Sequence, residues 1–155
     1  MHSTNLSPAY TIEEVVGNFQ VLLEHMDFKK ELTLFGVTQI RFLLRHKLKT
    51  EWKILMFALW RLALERSFPH DGQLIFDTFL ERCTANLSLK QAKKFTERVR
   101  TYVENLQLHG DTDFMPAGER LLSLIKPTAV ADPALQLRVA LHIRSLYTLI
   151  FDRLI

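Results

Sequence analysis

The residues able to do chemistry in this 155-residue chain are few and dispersed. Six histidines stand at positions 2, 25, 46, 70, 109 and 142, and a single cysteine at 83. A carboxylate-bridged metal site in a helical bundle needs a Glu three residues before a His, and no such pair occurs. His-Glu-x-x-His is absent too. The run His109 to Asp113 (His-Gly-Asp-Thr-Asp) is superficially calcium-like. An EF-hand loop, however, needs Gly at its sixth position and Glu at its twelfth. Here those positions hold Pro116 and Leu122, so a turn followed by a helix cap is the better reading. Cys83 stands alone, which excludes an intramolecular disulfide and a multi-cysteine zinc site. Its neighbours Phe79, Leu80 and Leu87 predict a buried structural thiol. There is no Gly-x-Ser-x-Gly elbow, phosphate-cradling glycine loop or dinucleotide fingerprint.

One dipeptide carries a pattern of its own. His70-Asp71 follows a hydrophobic segment, with His46 upstream and Asp111 or Asp132 downstream. That order resembles the ligand order of the all-helical HD superfamily of phosphohydrolases. The resemblance covers a dipeptide and a loose spacing, and it implies a divalent metal whose bound water attacks a phosphate ester. Pro69 puts the pair at a helix start, whereas that family places it at a helix end. A capping Asp beside an exposed His accounts for the same residues.

The basic residues are the other candidates. Residues 29–53 carry seven Lys/Arg against Glu31 and Glu51, whereas residues 1–28 carry four acids and no Lys or Arg. Arg41, Arg45, Lys47, Lys49 and Lys53 form one cluster, and Lys90, Lys93, Lys94, Arg98 and Arg100 a second. Placed outward on their helices and brought together, they would neutralise several phosphates of a nucleic acid. No helix-turn-helix spacing accompanies them. Solvated helix surface explains such runs equally well.

Elements must exist to position any of these groups, and their periodicity is helical throughout. Thr11 with Glu14 is a capping-box pattern. Behind it Ile12, Val15, Val16, Phe19, Leu22, Leu23 and Met26 form one apolar stripe. A second helix is expected over Leu34 to Lys47, with Val37, Ile40, Phe42, Leu43 and Leu44 inward. A third starts from Thr50 and runs to Ser67, apolar nearly all round, which suits a central bundle helix or an interface. Asp71 is expected to cap a fourth to about Ala85, and Ser88 with Gln91 a fifth that stops at Gly110. Asp113 with Pro116 opens a sixth to about Lys126, and Asp132 with Pro133 starts the last, to Ile155.

Composition bounds the rest. The chain is 48% hydrophobic and 24% charged, with only five Gly and five Pro, which is the balance of one globular helical domain. Its longest apolar run, Ile54 to Trp60, is seven residues, against about twenty needed to cross a bilayer. The expectation is an all-α bundle of about seven helices over 11–155 behind a flexible arm, 1–10. Its central helix is hydrophobic (about 51–67) and its C-terminal helix long (about 133–155). The expected role is a cytoplasmic, non-catalytic interaction or regulatory module without cofactor or metal. It would pair with a protein or with itself as a homodimer through outward positions of the last helix, and with no membrane. A nucleic-acid-binding protein using Arg41, Arg45, Lys47, Lys49, Lys53, Lys90, Lys93, Lys94 and Arg98 is the first alternative. A metal-dependent HD phosphohydrolase is the second.

Overall fold

Between Trp52 and Leu64 large apolar side chains occur on every side of one helix, so that stretch has to be enclosed on all sides. In the computed structural model, which describes residues 11–110 and 112–155, every residue of it is buried except the exposed Lys53 and the half-buried Arg61. The segment belongs to a 26-residue helix, α3 (Phe42–Ser67), packed against α2 (Lys29–Leu34), α4 (Gly72–Thr84), α5 (Leu89–His109), α6 (Met115–Ile125) and α7 (Pro133–Asp152). The first helix, α1 (Ile12–Glu24), lies on α4. A short 3₁₀ turn, Pro127–Ala129, joins α6 to α7. The described residues form seven α-helices and no strand: an all-α bundle around one buried helix. Each Leu, Ile, Met or Phe that α3 buries is worth about 1.5–3 kcal/mol relative to exposure, so this one helix supplies much of the driving force for folding.

Aromatic rings fill the junction of α1, α3 and α4. Phe19 stacks on Trp60 with centroids 4.3 Å apart, and Phe57 stacks on Phe79 at 5.5 Å. Phe95 of α5 meets Phe57 edge-on at 5.4 Å. At the surface, Arg82 of α4 grips Glu13 of α1 with two hydrogen bonds, 2.5 and 3.0 Å long. The Arg82 guanidinium holds the Glu13 carboxyl below its ordinary pKa. Arg61 and Glu65 pair at 2.7 Å, one turn apart on α3.

Local signals set most boundaries. Thr11 accepts a hydrogen bond from the Glu14 N–H, Ser88 and Gln91 form a reciprocal capping box, and Asp132 caps α7 with Pro133 in its first turn. Gly110, at φ 72°, ends α5. Several expected boundaries move. The helices expected over 34–47 and 50–67 are one helix, because no Gly or Pro interrupts 42–67 and Thr50 continues the backbone ladder instead of capping. Residues 35–41 are a turn, and the short α2 precedes it. Asp71 stands at the start of α4 but makes no side-chain cap, and α7 ends at Asp152. Cys83, expected as a buried thiol, is exposed in the last turn of α4, beyond the buried Phe76 and Phe79 on the same side of the helix. Its partial burial still pushes the thiol pKa up, away from reactivity. The arm expected over 1–10 lies outside the described residues. No helix among them is long and apolar enough to cross a membrane.

The approach of α4 to α3 is set by a missing side chain. A Cβ at Gly72 would meet the Leu64 carbonyl oxygen at 2.8 Å, closer than such contacts occur. Gly72→Ala should therefore destabilise the domain by about 1–3 kcal/mol in urea titrations. Gly17, mid-helix in α1 with nothing within 4 Å of its Cβ position, should behave oppositely. Gly17→Ala should stabilise by up to about 1 kcal/mol. A neutral Gly72→Ala would show that the two helices are not in that contact.

Candidate functional site

The turn between α2 and α3 is built by its backbone. The Val37 N–H bonds back to the Leu32 carbonyl at 2.9 Å and the Gly36 N–H to Thr33 at 3.0 Å, closing a Schellman motif with Gly36 at φ 66°. Val37 and Leu32, the positions whose hydrophobic contact commonly accompanies the motif, both pack against the core. A second turn follows, with the Arg41 N–H on the Thr38 carbonyl at 3.2 Å, and α3 begins at once without a side-chain cap. Arg45 reaches back from α3 and donates to the Gln39 carbonyl at 3.3 Å.

These two turns throw Ile40, Phe42 and Leu43 outward. Phe28, Phe35 and Leu48 already occupy the core at this end, with Leu44 packed at its margin. Ile40, Phe42 and Leu43 are 82%, 72% and 89% exposed. The sequence periodicity places all three inward, and the structure overturns that. With Arg41, Leu44 and Lys47 they surround an open hollow at the leading end of α3. The tip lies at a helix N-terminus, the positive end of the backbone dipole.

Electrostatics at this end are more one-sided than the sequence count suggests. Between residues 28 and 64 the only acids are Glu31 and Glu51, and both are buried. Glu31 meets His142 Nε2 of α7 at 2.5 Å, beside the Trp52 ring. Glu51 receives the Tyr102 hydroxyl at 3.1 Å and is paired with Arg98, both from α5. Burial pushes Tyr102 up to about 12, so at neutral pH its hydroxyl is a donor to Glu51. Desolvation lowers the Arg98 pKa from its ordinary value. Arg120 of α6 lies over the Tyr102 ring, 5.4 Å from its centre. Both carboxylates thus serve inter-helix contacts, and the surface charge left by residues 28–60 is all positive.

The candidate basic residues divide accordingly. Arg41 is exposed within the tip and Lys47 and Lys53 behind it, and Arg45 and Lys49 are half-buried beside them. Lys53 stands over the Phe28 ring, its Nζ 5.9 Å from the centre. Lys90, Lys93 and Lys94 are exposed on the first turns of α5. Arg98, expected on that outward row, is turned onto Glu51, because an unpaired carboxylate in the core would cost more than the pair. The contact between Glu31 and His142 could not be read from the sequence: the two are 111 residues apart, so no local spacing signals it. Glu51, an acid directly before an apolar run, did carry a signal of buried pairing.

The other candidate chemistry is dispersed. His46 is exposed on α3, His70 is exposed in the turn before α4, and Asp132 is occupied capping α7. Asp111 lies outside the described residues. Among the described residues no three His, Cys, Asp or Glu side chains form a group able to hold a metal ion. Compared with protein families, with curated proteins and with solved structures, the chain finds no match in any of the three.

Arg98→Ala separates a structural cation from a ligand-binding one. It leaves Glu51 with Tyr102 alone, and should destabilise the domain by about 2 kcal/mol. That is less than for a wholly buried pair, since the Arg98 side chain is 35% exposed. Lys94→Ala, on the exposed face, should stay within about 0.5 kcal/mol in the same denaturation experiment. Equal effects would contradict the assignment of Arg98 to the core.

Proposed function

We propose that the chain is a non-catalytic interaction module that docks on an anionic, partly apolar partner through the leading end of α3. One observation carries this: Ile40, Phe42 and Leu43 stand almost wholly in water, in a stretch whose carboxylates are both buried. Isolated exposed leucines are ordinary, but three large apolar side chains within four residues, beside Arg41 and Lys47, are a coherent surface. Burying each on a partner would return about 1.5–3 kcal/mol. The anionic amphiphile anilinonaphthalene sulfonate is a suitable probe. The folded protein should bind it, and Phe42→Ser/Leu43→Ser should remove most of the fluorescence gain. Unfolding free energy should change by no more than about 0.5 kcal/mol per substitution, as for surface positions. A large loss of stability would mean these residues belong to the core, and unchanged dye binding would remove the tip as a binding surface.

Self-association is a second reading, and the outer face of α7 supports it. Leu137 and Leu141 are 53% and 50% exposed, one turn apart. The tip is a poor place for symmetric pairing, because each copy would bring the same cations to the contact. Light scattering should then show a salt-insensitive dimer that Leu137→Glu/Leu141→Glu converts to monomer. A monomeric wild-type chain would remove this reading and leave the tip unaffected.

A further inference from the structure

We infer that the partner met by the α3 tip is the surface of an anionic lipid bilayer; this rests on the docking reading above and names its partner. The order of side chains along α3 is the first argument. Phe42 and Leu43 lead, with Ile40 and the exposed Arg41 in the turn before them, and the exposed Lys47 and Lys53 follow. At about 1.5 Å per residue, Lys47 lies roughly one turn behind Leu43 and Lys53 roughly 15 Å behind it. A bilayer met from water presents phosphate headgroups above an acyl boundary, so a leading apolar tip with trailing cations matches both layers at once. The long Lys and Arg stems let the charges remain among headgroups while the tip enters.

Charge is the second argument. Glu31 and Glu51, the two acids of residues 28–64, are enclosed against His142 and against Arg98 with Tyr102. Other occupants fit less well. Three apolar side chains offer roughly 300 Å² of apolar area, against roughly 450 Å² of apolar area per partner in a stable protein interface. A bilayer has no such threshold, since its electrostatic attraction is spread over the whole basic end. A nucleic acid would meet the cations but gives Ile40 and Leu43 no apolar layer to enter. With no spanning helix among the described residues, the contact is superficial. The expectation of no membrane partner counted spanning runs alone, and three side chains at a helix start escape such a count.

Sedimentation of the full chain with phosphatidylcholine vesicles, with and without phosphatidylserine, tests the inference. The protein should pellet with the anionic vesicles only, and less at high salt. Phe42→Ser/Leu43→Ser should abolish pelleting, and Arg41→Gln and Lys47→Gln should each weaken partitioning about fivefold. Lys90→Gln/Lys93→Gln, in the other basic cluster, should leave it unchanged, and circular dichroism should confirm that every variant folds. No pelleting with anionic vesicles, or pelleting indifferent to the tip variants, overturns the inference. If vesicles fail while dye binding still maps to Phe42 and Leu43, the docking surface stands and its partner is not lipid. Tip-dependent retention of a labelled DNA duplex in place of vesicles would likewise overturn the lipid assignment.

Discussion

Everything in this molecule follows from the need to enclose a helix that is apolar on every side. The Trp52–Leu64 segment of α3 cannot lie at a surface without exposing a large hydrophobic area, so five other helices pack against the helix that contains it. Enclosure extends to Glu51, at the edge of that segment, and a buried carboxylate needs partners. Arg98 and Tyr102 supply them from α5, while His142 of α7 does the same for Glu31 of α2. The two polar contacts therefore tie α5 to α3 and α7 to α2, alongside the apolar packing.

The same constraint shapes the surface. When a core takes the carboxylates of a segment and leaves its lysines and arginines outside, the exposed face acquires one sign of charge without an extreme net charge. Here the whole chain carries only +3, yet the surface charge of residues 28–60 is all positive. The enclosed part of α3 begins at Leu48, and the two turns before it present Ile40, Phe42 and Leu43 to solvent. One helix thus serves as the centre of the core over most of its length and as an exposed tip at its start.

Much of the fold was legible because its signals are local. The caps at Thr11, Ser88 and Asp132 and the stop at Gly110 depend on residues within a few positions of one another, and each marks a real helix end. The apolar character of 51–67 correctly pointed to a central helix. The tip was not legible, because Val37, Ile40, Phe42, Leu43 and Leu44 do recur at spacings a buried helix would show. What breaks that pattern is the left-handed Gly36, which closes α2 and resets the direction of the chain, so that Val37 and Leu44 pack and the other three do not. Arg98 was misplaced for a related reason. Its spacing from Lys90 and Lys94 predicts an outward row, and only the carboxylate on a neighbouring helix turns it inward.

The claim on which the functional account stands is that the free protein leaves the start of α3 uncovered while its middle is sealed. Hydroxyl-radical footprinting of the full chain, read residue by residue by mass spectrometry, measures this directly. The account predicts rapid oxidation of Phe42 and Leu43, with Trp52 and Trp60 protected. Protection of Phe42 and Leu43 comparable to that of the two tryptophans would contradict it, because a tip already covered in the free protein is not a docking surface.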